Sequence, residues 1–320
     1  MPRVSIIQAT YGHEKFISSS IRSVLDQEFA DWELLTGDDA SVDDTLQKAR
    51  NMASNDPRIQ IWRHEKNLGL VANLEFLLKK VSKDSEYVAF LEWDDEFEPD
   101  NLLRKIALFE EDESLGIVIS SHSNMDAFWA KISGNGFVVN ALTYNPKLRI
   151  WGPHQVSASE LLEMLGNPIK SFGSIMIRKS VLEKIWSFKS PNGDSMFWPF
   201  DYYLWLQLLP STTYWNIETP LLRYRVHSNN FSSRKNATKF IRQTLSGLER
   251  LEKIGTFSNF RQDDLSYKFA KEYYLSLLEF LDGRKLSALK HLSTTFKYRP
   301  VSRLFVRMKL LFRITFSCFI

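Results

Sequence analysis

"AFLEWDDEFEPD", residues 89–100, runs an apolar stretch ending at Leu91 directly into six carboxylates: Glu92, Asp94, Asp95, Glu96, Glu98 and Asp100. Like charges this close repel one another, and more strongly where solvent is scarce. Part of the group has structural duty. Pro99 suits the first position of a helix, with Glu98 before it and Asp100 in the first turn, where carboxylates favour the dipole. Glu96 reads as solvent-exposed. Asp94 and Asp95 are left over, directly after a buried strand and with no Lys or Arg beside them in sequence. They read either as a solvated turn or as the place of a cation, or of something that carries one.

The strand before them belongs to a regular series. "RVSIIQA" (3–9), "WELLT" (32–36), "RIQIW" (58–62), "YVAFL" (87–91) and "GIVIS" (116–120) are short β-type runs. Between them lie stretches of helical period: "EKFISSSIRSVLDQ" with Ile17, Ile21, Val24 and Leu25 on one face, a Ser41-led helix to Ala53, about 70–81 and about 99–112. This β-α alternation with short connections predicts an α/β fold, a mostly parallel twisted sheet with helices on both faces. Ligands of such sheets sit beyond the carboxyl ends of the strands.

From about 121 to 230 the pattern loosens. Gly134, Gly136 and "TYNPKLRIWGP" read as loops over the site, "SFGSIMIRKSVLEKI" as strand then helix, "FDYYLWLQLL" as a helix, and "YWNI" and "LLRYRV" as closing strands. The expected organisation is a domain over 1–234 and a helical appendage over 235–320.

The chain has 320 residues, 44% hydrophobic and 25% charged, with net charge +3, which excludes a general binder of polyanions and so of nucleic acid. Its one cysteine, Cys318, excludes an internal disulfide framework and fits a reducing, cytoplasmic setting. "MPRVSIIQAT" has too short an apolar core for a signal peptide, and no apolar run reaches the ~18 residues of a membrane span. Charge is concentrated late: Arg284 to Ile320 holds nine Lys or Arg and no Asp or Glu, interleaved with Leu, Phe, Val and Ile. That composition fits a basic helix in the interface of an anionic membrane, placing the protein on its inner face. It also fits a helix packed on the main domain with solvated arginines outside.

Two motifs are missing. "ATYGHEK" follows the first strand in place of G-x-G-x-x-G, and no G-x-x-x-x-G-K-[ST] occurs. A nucleotide bound here must be held by carboxylates, a metal and side chains. Carboxylates without nearby Cys or His select hard ions, and Mg²⁺ takes one or two of them and completes its shell with water and phosphate. Asp38 and Asp39 in "LLTGDDASVDD" (34–44) read either as a turn before a helix capped by Ser41 or as acceptors for a base N–H or a ribose hydroxyl.

Six strings in order carry a resemblance: "VSIIQATYGHEKFISSSIRSVLDQEFADWELLTGDDAS", "NLGLVAN", "YVAFLEWDDEFEPDNL", "FGSIMIRKSVLEKI", "DYYLWLQLL" and "YRVHSNN". Over roughly residues 3–230 the chain resembles a family-2 glycosyltransferase of the GT-A fold. The resemblance implies that Thr10, Tyr11 and Asp39 lie around the nucleotide base and ribose, and that the Asn67–Gly69 loop lies against the nucleotide. It implies that Asp94 and Asp95 are the metal and ribose carboxylates, that Asp201 is the base of the inverting members, and that Arg225 and His227 close over the diphosphate. His227 thereby joins Asp94 and Asp95 as a candidate metal ligand. On the residues alone, Asp201 also reads as a surface acid, His227 as an exposed strand-end histidine, and Trp151, Phe172 and Trp198 as core aromatics or sugar-stacking platforms.

The chain departs from the family pattern at Glu92-Trp93-Asp94-Asp95, where members often read Asp-x-Asp-Asp, and at Phe200, which replaces an acid before the base. "TGDD" is also more polar than the usual run into the Asp pair. The implied activity is metal-dependent (Mg²⁺ or Mn²⁺), inverting transfer from a nucleoside-diphosphate sugar, a UDP-sugar first, to a glycan or lipid-linked acceptor in bacterial surface polysaccharide synthesis. The alternatives are a non-catalytic binding module on the same fold and a nucleotidyltransferase, which would release pyrophosphate.

Overall fold

A computed structural model of the chain describes residues 1–54, 56–126, 152–163, 169, 171–185, 200–227, 237–253, 261–298, 307–308 and 310–311. The strands are β1 (Val4–Thr10), β2 (Trp32–Asp38), β3 (Ile59–Arg63), β4 (Tyr87–Phe90), β5 (Glu96–Phe97), β6 (Leu115–Asp126), β7 (Gly152–His154), β8 (Ile175–Arg178) and β9 (Thr213–Val226). The helices are α1 (Ile17–Leu25), α2 (Thr45–Ala53), α3 (Leu70–Leu78), α4 (Asn101–Glu111), α5 (Ala158–Glu163), α6 (Lys179–Leu182), α7 (Phe200–Leu208), α8 (Ala237–Lys253), α9 (Arg261–Leu281) and α10 (Lys285–Tyr298). The glycine-bearing loop around Gly134 and Gly136, Trp151 and Trp198 lie outside the described residues, as does the expected boundary at 234.

The strands form one sheet in the order β3-β2-β1-β4-β8-β6-β9-β5, with β7 on β9. The first four are parallel, as the alternation predicts. The rest of the sheet is mixed: β8 runs antiparallel to both β4 and β6, and β6 is parallel to β9. The two closing strands expected at 214–226 are one long β9. Its exposed Glu218-Thr219-Pro220 segment is where the pairing with β6 shifts register, as a residue without an N–H requires.

Period-2 side chains divide the interior. Val4, Ile6, Leu34 and Ala89 face Ile17, Ile21 and Val24 of α1 and Leu102, Ile106 and Phe109 of α4. Ile7, Leu35, Val88 and Phe90 face Leu74 and Leu77 of α3 and, farther along, Trp205 of α7 and Tyr273 of α9. Both sides of these strands are therefore dry, which is why they read as continuous apolar runs rather than alternating ones.

Helix starts shift slightly from expectation. α2 begins at Thr45, because Asp43 Oδ1 accepts the Thr45 N–H at 3.1 Å. Ser41 does not cap it; Ala40 turns the chain at φ 62°, and Ser41 Oγ accepts the N–H of Gly12 at 3.0 Å.

Gly37, on β2, is required by a close approach. Asn73 of α3 is buried, donates Nδ2–H to the Gly37 carbonyl at 2.7 Å, and holds its Oδ1 3.0 Å from His64 Nε2. A Cβ on Gly37 would stand 2.1 Å from that Oδ1. Gly37→Ala is therefore expected to lower stability by about 1–3 kcal/mol in chemical denaturation, the range for forced overpacking; an unchanged midpoint would contradict this clamp.

Candidate active site

The carboxyl ends of β2, β1 and β4 lie side by side, and the loops leaving them are tied together. Thr10 pairs with Asp38 in the sheet, and the Asp39 N–H donates to the Thr10 carbonyl at 2.9 Å. From the β1 loop, Gly12 N–H reaches Ser41, His13 N–H reaches Thr45 Oγ1 at 2.7 Å, and Glu14 N–H reaches Asp43 Oδ2 at 3.3 Å. The His13 ring stacks on Trp93 of the β4 loop, centroids 4.1 Å apart.

Asp39 is buried, and each of its carboxylate oxygens accepts one backbone N–H: Leu68 at 2.7 Å and Gly69 at 2.8 Å. Gly69 adopts φ 84°, and Asn67 Oδ1 also accepts its N–H, at 3.1 Å. Thr10, Asp39, Asn67 and Gly69 are thus one connected group, with Tyr11 at its exposed edge. The Thr10 hydroxyl is buried without a hydrogen-bond partner among the described residues.

The acidic loop is clamped between α1 and β9. β5 pairs antiparallel with β9, setting Glu96 opposite Arg223. Glu96, expected at the surface, is buried because it bridges two guanidiniums: Arg223 Nη2 at 3.0 Å and Arg225 Nη2 at 2.5 Å. Arg225 is fully buried. Its backbone N–H donates to Asp95 Oδ1 at 2.9 Å, its Nε to the Asp94 carbonyl at 2.7 Å, and its guanidinium lies over Phe16, 4.9 Å from the centroid. In this structure Arg225 braces the carboxylate loop from behind.

On the other side, α1 carries a polar stripe beside its apolar one. Ser20 Oγ donates to the Glu92 carbonyl at 3.3 Å, Ser23 Oγ accepts the Phe97 N–H at 3.0 Å, and Gln27 donates to the Glu98 carbonyl at 2.8 Å. Sequence reading attended only to the apolar stripe. Ser20 and Ser23 on one helix, with Gln27 just past its end, are the available signal of a docked backbone.

Glu92, Asp94 and Asp95 therefore crowd together under cover. Asp95 is fully buried, and Asp94 is 8% exposed. Ser171 Oγ lies 3.1 Å from Glu92 Oε2 and 3.2 Å from Asp95 Oδ2. β8 is antiparallel to β4, so the turn before β8 arrives beside the loop after β4. Lys105, fully buried on α4, fixes that turn by donating to the Ser174 carbonyl at 2.9 Å, and burial pushes its pKa down to about 7.

Burial first, and then the charges of Asp94 and Asp201, push Glu92 up to about 7. Burial, followed by Asp94 and Glu92, holds Asp95 well above the usual carboxylate range. Asp201, at the start of α7, is thus within electrostatic reach of Glu92. His227 Nε2 lies 2.9 Å from Asp94 Oδ2, and its ring stacks on Phe16. Asp94, Asp95, Arg225 and His227 come together as expected of neighbours; Asp39 with its loop forms the adjoining group.

No three His, Cys, Asp or Glu among the described residues form a ready cage for a metal. Even so, the residues fit a hard divalent ion. Two adjacent carboxylates in a repulsive, under-solvated turn match a Mg²⁺-type ion that takes the rest of its shell from water and phosphate.

The sequence profile described as "Glycosyl transferase family 2" matches residues 5–186, more than half of the chain. The chain belongs to that family and is a glycosyltransferase. Over 234 residues it is 28% identical to the Escherichia coli protein "UDP-Glc:alpha-D-GlcNAc-diphosphoundecaprenol beta-1,3-glucosyltransferase WfgD", covering 72% of this chain and 80% of that one. Over 128 residues it is 33% identical to "Putative glycosyltransferase EpsE" of Bacillus subtilis; that match spans 40% of this chain and less than half, 45%, of the relative. Among solved structures, S. aureus TarS with UDP-GlcNAc superposes with TM-score 0.57 at 16% identity, covering 93% of this chain and 89% of that one. A Pyrobaculum calidifontis mannosyltransferase, PcManGT, with GDP-Man and Mn²⁺ gives TM-score 0.56 at 15% identity, covering 99% and 88%. These two likenesses show the shared GT-A type of fold.

The crowding predicts a pH dependence. Between the ordinary glutamate value of 4.5 and about 7, the folded chain binds a proton at Glu92 that the unfolded chain has released. The Glu92 contribution to stability therefore falls as pH rises through that window, while His13, held down to about 4, and Lys105, held down to about 7, contribute in the opposite sense. In EDTA, chemical denaturation is expected to show Glu92→Gln gaining stability relative to wild type from pH 5 to pH 8, with Mn²⁺ narrowing the difference. The same pH 5-to-8 change in both proteins would show that Glu92 does not hold a proton in the folded chain.

Proposed function

We propose that the chain is a metal-dependent, inverting glycosyltransferase using a nucleoside-diphosphate sugar, a UDP-sugar first, and a hydroxyl of a glycan or lipid-linked acceptor. The observation that carries the reading is the buried Asp94–Asp95 pair after β4, with Asp201 within electrostatic reach of Glu92 and the His13–Trp93 stack joining the loop to that after β1. WfgD's name states a UDP-glucose donor and a diphosphoundecaprenol acceptor. TarS holds UDP-GlcNAc, and PcManGT holds GDP-Man with Mn²⁺. These support a nucleotide-sugar donor, a divalent ion and a role in bacterial surface polysaccharide synthesis.

In this reading Thr10, Tyr11, Asp39 and the Asn67–Gly69 loop receive the nucleoside. Asp94 and Asp95, with His227 beside Asp94, would hold Mg²⁺ or Mn²⁺ against the diphosphate; the bound ion offsets the negative charge of the leaving group. Arg225 keeps the Asp95 carboxylate and the Asp94 backbone in place. Asp201 takes the proton of the acceptor hydroxyl, which attacks the anomeric carbon opposite the departing diphosphate. Phe200, buried ahead of Asp201, leaves it as the only carboxylate at the start of α7.

The expected result for Asp201→Asn is transfer reduced by about 100-fold or more, the usual scale for removing a general base, with nucleotide affinity within twofold. Turnover would be followed across a panel of UDP- and GDP-sugars, with NMR of the product anomer. Near wild-type turnover would refute the base assignment. Binding without turnover in the wild type would instead favour a binding module.

The C-terminal region adds a partner. No described helix is long and apolar enough to cross a membrane. Of the basic residues counted from 284 onward, Arg284 pairs with Glu279 and Asp282, and Arg307 is buried, its guanidinium 4.2 Å from the Phe296 centroid. Arg299, Arg303, Lys309 and Arg313 lie outside the described residues. Lys285, Lys290 and Lys297 are exposed on α10, which has no acidic residue, beside the 85% exposed Leu286. We infer that this face rests on an anionic lipid surface, near a lipid-linked acceptor. At about 1 kcal/mol per lysine, replacing all three by Glu is expected to abolish sedimentation with phosphatidylglycerol vesicles; unchanged sedimentation would refute it.

A further inference from the structure

His13 was read in the sequence only as part of a string, yet it stands where the three loops of the site meet. Its backbone N–H is held by Thr45 of α2 at 2.7 Å. Its Nδ1 accepts the N–H of Tyr11 at 3.2 Å, so the ring proton sits on Nε2. The ring lies flat against Trp93, centroids 4.1 Å and planes 26° apart. Trp93 separates Glu92 from Asp94, so the residue that orients the imidazole is adjacent to the carboxylate expected to hold the ion. His13 and Asp94 interact electrostatically, and so do His13 and His227. The Trp93 stack sets the imidazole beside the carboxylate loop, and the structure gives its Nε2 no protein acceptor among the described residues.

A diphosphate has more acceptor oxygens than one divalent ion satisfies. Arg225 is buried and turned to Glu96 and the Asp94 carbonyl. Donors for oxygens facing the β1 loop must come from that loop. We propose that His13 is a donor-phosphate ligand of this site, its Nε2–H hydrogen bonding a phosphoryl oxygen of the nucleoside diphosphate while Trp93 fixes the plane of the ring. This rests on the glycosyl-donor reading above and adds a residue to it. The geometry differs from that of a lysine or arginine contact: a flat ring held on one face by Trp93 and at Nδ1 by the Tyr11 N–H offers one N–H in one direction, without a mobile cation.

The test is calorimetric affinity for UDP and uridine, and in parallel GDP and guanosine, with Mn²⁺ and again in EDTA. His13→Phe keeps the ring against Trp93 and removes the donor; His13→Gln restores an N–H. For the diphosphate that the wild type binds, His13→Phe is expected to weaken affinity about tenfold, or about 1.4 kcal/mol, in both media. His13→Gln should stay within about threefold of wild type, and nucleoside affinity should not change. A purely structural role, through the stack or through the Tyr11 N–H that Nδ1 accepts, would instead weaken nucleoside and diphosphate together. Diphosphate affinity within twofold of wild type in His13→Phe would overturn the proposal, as would an equal loss of nucleoside affinity. Should His13→Phe also lower the thermal midpoint, the His13→Gln comparison decides alone: failure to retain affinity in that folded variant counts against the proposal. If the wild-type chain binds neither UDP nor GDP, the glycosyl-donor reading itself falls, and this inference with it.

Discussion

Three carboxylates, Glu92, Asp94 and Asp95, are held in a turn where water is too scarce to separate their charges. Nearly every polar contact around the site answers that constraint. Arg225 fixes Asp95 through its backbone N–H and Asp94 through its guanidinium, while its own charge is neutralised by Glu96. Ser171 approaches both Glu92 and Asp95, though one hydroxyl has only one proton to give. In the chain alone, the remaining repulsion is relieved by protonation; a bound divalent ion relieves it differently, by adding positive charge. A site stabilised by its ligand is the expected outcome of such crowding.

The sheet's change of direction makes this possible. A purely parallel continuation past β4 would bring a crossover helix to that edge and leave the acidic loop facing solvent. β8 instead enters antiparallel, so the turn at 171–174 meets the loop at 92–95 end to end. β5 likewise reverses against β9 and sets Glu96 opposite Arg223. The side chains at 92–95 and 171 thus sit on loops, while their placement comes from strand direction, in keeping with rigid elements presenting loops.

The candidate site has two connected parts, the Asp39 group and the 92–95 loop. Asp39 spends both carboxylate oxygens on the backbone of Leu68 and Gly69, shaping the loop that would lie on the nucleotide. The His13–Trp93 stack joins this side to the Asp94 side. The C-terminal helices belong to the same scaffold: Tyr273 of α9 shares one buried cluster with Trp205 of α7 and Phe90 of β4.

Much of this was legible in the residues themselves. Apolar runs separated by helical periods determined the parallel half of the sheet, because burial on both faces demands apolar residues at every position. Asp residues at the ends of β2 and β4 stood out locally, and the structure buries Asp38, Asp39, Asp94 and Asp95 there. What sequence could not supply were the partners. Glu96 reads as solvent-exposed and is buried against Arg223 and Arg225. Arg307, counted with a basic surface, sits against Phe296. Each outcome depends on a residue more than ten positions away. Local sequence fixes which groups are charged and where strands end; only the tertiary fold decides which opposite charge arrives beside them, because pairing across distant strands is set by topology and register.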